Sequence, residues 1–219
     1  HLELLTLWQH LLCCSVGVLV ISAPFASQMP SLKLEFSRRN LGESVKLLDT
    51  QIPKGTLPYE EVDFSLNFLT GSSAAAAIAV CKRCPKLRVL KLYKNRIDDN
   101  GAVHLAELCH AVPGIEEMHL SHNMFTEVGA RRIVEAAEAS RPPDAVPLWL
   151  RLEQNIIENP EDAFEKMERD GLSVCRRADD KACNTRYCAH GAKVHLPHFY
   201  LQRSQLNGAP ARGPVPQTQ

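Results

Sequence analysis

The stretch LRVLKLYKNRIDDNGAVHLAEL is followed at the same spacing by IEEMHLSHNMFTEVGARRIVEA, so one pattern fills two consecutive blocks of the chain. Aligned, Leu87, Leu90, Leu92 and Asn95 fall over Ile115, Met118, Leu120 and Asn123, 28 residues apart. Tyr59, Val62, Phe64 and Asn67 occupy the same slots 28 residues earlier. A fixed period of this length describes stacked units, each burying its apolar side against its neighbours, not a single globular core. Such a chain builds an extended surface, which favours binding over catalysis.

Within a unit, Leu90 and Leu92 are two residues apart, so on a strand they face the same side, into the stack. Val89, Lys91 and Tyr93 then face the other way. Asn95 stands where the strand gives way to a turn, and an amide there can bond the backbone of the adjoining coil. Asn67, Asn95, Asn123 and Asn155 are expected to form a ladder of such bonds. Seven residues past the asparagine, apolar side chains recur at i, i+3, i+4 and i+7. They are Ala74, Ala77, Ile78 and Cys81, then Ala102, Leu105, Ala106 and Cys109, then Ala130, Ile133, Val134 and Ala137. This spacing predicts three helices with the same buried stripe. Gly101 and Gly129 fall in the segment leading into two of them, where a positive φ is expected.

The pattern resembles the leucine-rich repeat family, and a 28-residue unit with a full helix is similar to its ribonuclease-inhibitor-like subclass. The resemblance implies an α/β solenoid, with a curved parallel sheet on the concave face and helices outside. It is closest over residues 59–139. LKLEFSRRNLG reads as an earlier, slightly lengthened copy with Leu34, Phe36 and Asn40 in the key slots. WLRLEQNII supplies Leu150, Leu152 and Asn155 at a spacing of 32, the extra residues fitting a bulge at SRPPDAVP. About five repeats are expected over residues 29–158.

With 25 basic and 25 acidic residues in 219, the chain has no global charge to draw it to nucleic acid or an anionic membrane. Of its eight cysteines, Cys81 and Cys109 belong to the helical stripe and Cys84 to the turn after it. There they act as small hydrophobes, which fits a reducing cytoplasmic or nuclear compartment. Residues 1–28 lie outside the pattern. Leu4–Ala26 is apolar enough to cross a bilayer, which leaves an upstream extension or gene-model remnant, a signal or anchor, and a capping element as readings. A membrane enters only with the anchor. Residues 204–219 carry no periodic apolar side chains and are expected to be disordered.

Residues 159–203 follow a different plan. NPEDAFEKMERDG reads as a capping helix, with Asn159 as cap, Pro160 in the first turn, Glu161 and Asp162 at the positive end, and Gly171 as terminator. Ala163, Phe164 and Met167 give it one apolar face. Next, Cys175, Cys183 and Cys188 precede His190, His195 and His198. Zinc takes four sulfur or nitrogen donors in a tetrahedral shell, and a short loop-rich segment gains order from it. The C-x7-C-x4-C spacing resembles the start of a CCCH zinc finger, a family that places its histidine where this chain has Ala192. His190 comes early and His195 late. The expected zinc ligands are Cys175, Cys183, Cys188 and His195, with His190 in reserve. Free thiols in a plain cap and redox pairing remain the alternatives. Arg176, Arg177, Lys181, Arg186 and Lys193 interleave with Tyr187 and Phe199, as in fingers that meet single-stranded RNA. Asp179 and Asp180 dilute that charge.

No phosphate loop, nucleophile elbow, paired-histidine protease motif or dinucleotide fingerprint is present, so no enzyme and no small-molecule substrate are expected. The outward strand positions form columns: Glu61, Val89, Glu117 and Trp149; Asp63, Lys91, His119 and Arg151; Ser65, Tyr93, Ser121 and Glu153. Aromatic and arginine side chains anchor protein interfaces. The expected function is therefore protein binding through Asp63, Lys91, Tyr93, Glu117, His119, Trp149 and Arg151. Trp149 has a second reading, as cover for the edge of the last repeat. Two functional alternatives stand beside this one. One is a regulator of a small GTPase, since the repeat subclass is shared with the Ran GTPase-activating proteins and Arg96 lies on the strand-to-helix turn. The other is RNA binding through the Cys/His segment.

Overall fold

In the computed structural model, which describes residues 32–176 and 183–203, the repeated apolar slots become neighbouring parallel strands. The expectations for residues 1–28, for the tail at 204–219, and for Arg177, Asp179, Asp180 and Lys181 lie outside the described residues. Strands β1 (Lys33–Glu35), β2 (Glu61–Asp63), β3 (Val89–Lys91), β4 (Glu117–His119) and β5 (Leu148–Arg151) pair in sequence order. Leu34, Val62, Leu90, Met118 and Leu150 stand side by side in that register. The sequence period is thus the strand register, including the longer step to Leu150.

Between β1 and β2 run two short helices, α1 (Leu41–Ser44) and α2 (Lys46–Gln51). The later crossovers are α3 (Gly71–Lys82), α4 (Asp99–Ala111) and α5 (Glu127–Ser140), and α4 packs against both its neighbours. Leu90, Leu92, Met118, Leu120, Leu150 and Leu152 are fully buried from the sheet side. Ala77, Ile78, Leu105, Ile133 and Val134 meet them from the helices. In α4 the stripe includes Leu108 and leaves Ala106 only half-buried. Such an α/β arrangement, parallel sheet on one side and helices on the other, is compatible with a solenoid. Among the described residues, no helix is long and apolar enough to cross a membrane.

Asn95 Oδ1 accepts from the backbone N–H groups of Asn67 and Leu69, both at 3.0 Å. Its Nδ2 donates to Leu92 O at 2.9 Å and to Phe64 O at 3.1 Å in the preceding unit. Asn123 and Asn155 repeat the scheme, accepting from Ile97 and Phe125. One residue per unit thereby satisfies the buried polar backbone where strands end. At the first turn the scheme corrects the expected slot. Asn67 Oδ1 accepts from Arg39 N at 2.7 Å, so Arg39, not Asn40, holds the ladder position and the unit is not lengthened.

The glycine expectation is also corrected. Gly101 and Gly129 lie inside the first turns of α4 and α5, without positive φ. Close packing excludes a side chain there: a Cβ would sit 2.2 Å from Ile97 Cγ2 at Gly101, and 2.1 Å from Asp99 Oδ1 at Gly129. Positive φ falls instead on Arg38, Leu66, Lys94, His122 and Gln154, each just before a ladder slot, and in the first two turns also on Asn40 and Phe68 just after it. The ladder bonds hold these side chains in a conformation that costs them roughly 1 kcal/mol or more.

Beyond β5, helix α6 (Pro160–Arg169) presents Ala163, Phe164 and Met167 to the core and ends at Gly171, φ 83°. Asn159 occupies the cap position without a side-chain cap bond. Two more parallel strands complete the seven-stranded sheet: β6 (Val174–Cys175) and β9 (Val194–His195). A separate antiparallel pair, β7 (Cys183–Asn184) and β8 (Tyr187–Cys188), lies between them in the chain. The order at this edge is β5–β9–β6, so the later strand sits inside the earlier one.

Candidate metal centre

Strand pairing delivers the donors. Cys175 and His195 are register partners in β6 and β9, so their side chains leave the sheet on the same side. Cys183 and Cys188 are partners across the β7–β8 hairpin, which turns through Thr185 and Arg186. Asn184 Oδ1 accepts the Arg186 N–H at 2.8 Å and fixes that turn. Gly191, at φ 68°, then bends the chain back, its N–H bonded to Cys188 O at 3.1 Å.

The three thiol sulfurs and one imidazole nitrogen lie within 4.8 Å of one another, all from buried residues. In a tetrahedral shell with metal–sulfur bonds of about 2.3 Å, donors stand roughly 3.8 Å apart. Contraction of about an ångström or less therefore brings this set onto one ion. The donors that come together are Cys175, Cys183, Cys188 and His195, whereas His190 is exposed and outside the group.

His195 supplies a direct test of fit. It is 1 % exposed, yet neither ring nitrogen has a hydrogen-bond partner. A buried polar atom left unpaired costs about 1–3 kcal/mol, and ligation satisfies one of the two. Burial, with His190 nearby, holds its pKa below the ordinary histidine value, which keeps the ring in the neutral, ligating form. Trp149 stacks on the same ring, with centroids 5.6 Å apart. The residues present fit a closed four-donor site.

The sheet face away from the helices carries the other candidate residues. Lys91, Tyr93, Glu117, His119, Trp149 and Arg151 are half-buried there, in the columns that the register dictates. Much of the charge is paired within the face: Lys91 to Glu61 at 2.6 Å, His119 to Glu117 at 3.0 Å, and Arg151 to Glu153. Asp63 departs from its expected open position. It is 6 % exposed, and its carboxylate accepts the Ser65 N–H at 2.9 Å. Ser65, Ser121 and Glu153 are buried as well, because the third column folds into the turn.

Two further placements bear on the alternatives. Arg96 is exposed, its guanidinium 5.1 Å from the Phe68 ring centroid. In the Cys/His segment, Tyr187 is exposed but Phe199 is buried against Phe164, and Arg176 pairs with Glu161. Phe199 therefore offers no stacking surface to a base.

Gln202 went unnoticed in the sequence. Its Oε1 accepts the Asn155 N–H at 2.9 Å, and its Nε2 donates to Leu152 O and Phe199 O. It performs the ladder function for the last unit with a side chain one methylene longer. A polar amide close behind the apolar pair Leu196 and Phe199 was the available signal. No known family model matches the chain, and no curated protein matches it.

Proposed function

We propose that this chain is a non-catalytic protein-interaction module of the leucine-rich repeat type, with a structural zinc closing its C-terminal edge. The observation that carries the binding reading is the unbroken register from β1 to β5. It lines up half-buried Lys91, Tyr93, His119, Trp149 and Arg151 on a sheet face that, among the described residues, no helix covers. Interfaces draw their affinity from such partly desolvated aromatic and cationic side chains.

Zinc is the ion that three thiolates and an imidazole select, and four protein donors leave no open position for catalysis. The metal's role in this reading is to tie β6, β9 and the β7–β8 hairpin over the end of the stack, where a terminal repeat needs a cover.

The binding test changes Lys91, Tyr93 and His119 together to alanine and compares recovery of protein partners from lysate. Trp149 and Arg151 are left intact, because one contacts His195 and the other neutralises buried Glu153. Loss of a specific partner with an unchanged melting temperature supports the reading. Retention of every partner defeats it. Zinc is tested separately, by elemental analysis of reduced protein: about one ion per chain is expected.

A further inference from the structure

Each of the first five strands is followed by a turn that contains the ladder slot, at residues 36–40, 64–68, 92–96, 120–124 and 152–156. Hydrogen bonds set these turns side by side. Arg38 N donates to Ser65 O at 3.1 Å, Leu66 N to Tyr93 O at 3.1 Å, Lys94 N to Ser121 O at 2.9 Å, and His122 N to Glu153 O at 3.0 Å. Successive turns hydrogen-bonded in this way stand roughly 5 Å apart. A segment lying along the rim thus meets each turn in order.

The exposed charges within these turns are basic, and the exposed Glu35 that accepts the Ser37 N–H beside the first turn is paired with Lys33. Arg38, Arg39, Lys94 and Arg96 are exposed on the rim, and Arg203 joins its far end through a 2.9 Å bond from its N–H to Asn155 O. The only acidic residue in the five turns is Glu153, which is 5 % exposed and paired with Arg151. Among the described residues, no ion pair neutralises Arg38, Lys94 or Arg96. The opposite ends of the strands carry Glu60, Glu61, Glu116 and Glu117 together with Lys33 and Arg88, and Glu61 and Glu116 are paired there. Apolar surface is interleaved with the cations. Phe68 is 53 % exposed and Met124 is 42 % exposed. A recess of about 440 Å³ lies among Asn40, Gly42, Phe68, Thr70 and Arg96.

We propose that this rim binds an acidic, apolar-containing segment of a protein partner. Carboxylates spaced along the segment pair with Arg38, Lys94 and Arg96, and its apolar side chains cover Phe68 and Met124. Charge complementarity selects the partner's sign, and the side-by-side turns select an extended conformation. Nucleic acid fits less well, since base stacking needs a row of aromatic faces and Arg96 already lies over the ring of Phe68. The inference does not depend on the sheet-face reading, because none of these residues belongs to the columns of that face.

The test titrates the whole chain with a fluorescent twelve-residue peptide alternating glutamate or aspartate with leucine. A lysine-for-acid version and a single-stranded RNA of equal charge serve as competitors. Saturable binding by the acidic peptide is expected, weakening by about tenfold or more in Arg38→Glu/Lys94→Glu/Arg96→Glu and with added salt. The milder Arg38→Gln/Lys94→Gln/Arg96→Gln variant, checked by circular dichroism, covers the case in which charge reversal disturbs the fold. Lys91→Ala/Tyr93→Ala/His119→Ala should bind the peptide normally, which separates this proposal from the sheet-face one. No saturation below about 1 mM, equal binding of the basic peptide, tighter binding of RNA, or unchanged affinity in both rim variants overturns the proposal.

Discussion

Trp149 lies flat on His195, ring centroids 5.6 Å apart and planes at 24°. The contact joins an outward residue of β5 to a candidate metal ligand on β9. It also explains why Trp149 is only half exposed on its face of the sheet. Groups that orient a ligand imidazole typically change metal affinity by about 10–100-fold. Trp149→Ala should accelerate zinc transfer to a chromogenic chelator by about that factor, and Trp149→Phe should restore slow transfer. Identical transfer rates in all three proteins rule the stack out as a support for the ligand.

Cys183→Ser should abolish zinc retention and leave the segment after Gly171 open to protease, with the cut mapped by mass spectrometry. His195→Ala should weaken binding more than His190→Ala, since His190 lies outside the buried group. Acidification should release the ion, because protons compete for thiolate and imidazole. Equal effects of the two histidine variants reassign the fourth ligand.

Leu92 is fully buried, and Leu92→Ala should cost about 2–5 kcal/mol, read from the denaturant midpoint. Asn95→Ala tests the ladder. It strands the N–H groups of Asn67 and Leu69 in a buried turn, while the carbonyls of Phe64 and Leu92 keep the amides of Asn67 and Asn123 as donors. At about 1–3 kcal/mol for an unpaired buried group, a loss of about 2 kcal/mol or more is expected. A smaller loss means that water enters the turn.

Burial on its own would push the Glu61 carboxyl up, but hydrogen bonds and attraction from Lys91 and Lys33 outweigh it and hold the group below the ordinary glutamate range. A folded-state pKa below the unfolded one stabilises the fold above the unfolded value of about 4.3. That contribution disappears as pH falls through the folded pKa. Wild type should therefore exceed Glu61→Gln in stability at neutral pH, with the gap closing below about pH 4. A gap that is constant with pH shows that the carboxylate is not what the lysines stabilise.

How far the sequence could be read follows from where the period holds. From Val62 to Asn155 each slot has a copy above or below it, so register, buried face and ladder position were all legible. Arg39 escaped because the first turn has an asparagine one place later, and only the backbone bond to Asn67 separates the two. Asp63 looked open because alternation assigns it a face. The turn that follows draws its carboxylate inward to Ser65. At the far end no copy exists to align. Donor chemistry alone brought Cys175, Cys183, Cys188 and His195 into one set, but nothing in the spacing says that β9 enters between β5 and β6. Gln202 was invisible for a related reason: the slot is defined by reach, and a longer amide meets it from a different offset.

The inverted order at that edge has a consequence for how the chain is assembled during synthesis. β6 leaves the ribosome about twenty residues before β9, yet its place in the finished sheet is outside β9. Until β9 emerges, β5 keeps an open edge, and unpaired edges recruit other strands. Pairing of β6 with β5 in that interval would have to be undone before β9 could enter. Any grip of the cysteine-rich segment on a metal would then come last, when Cys175 and His195 meet, sealing an order that the chain could not adopt in the sequence of its own elongation.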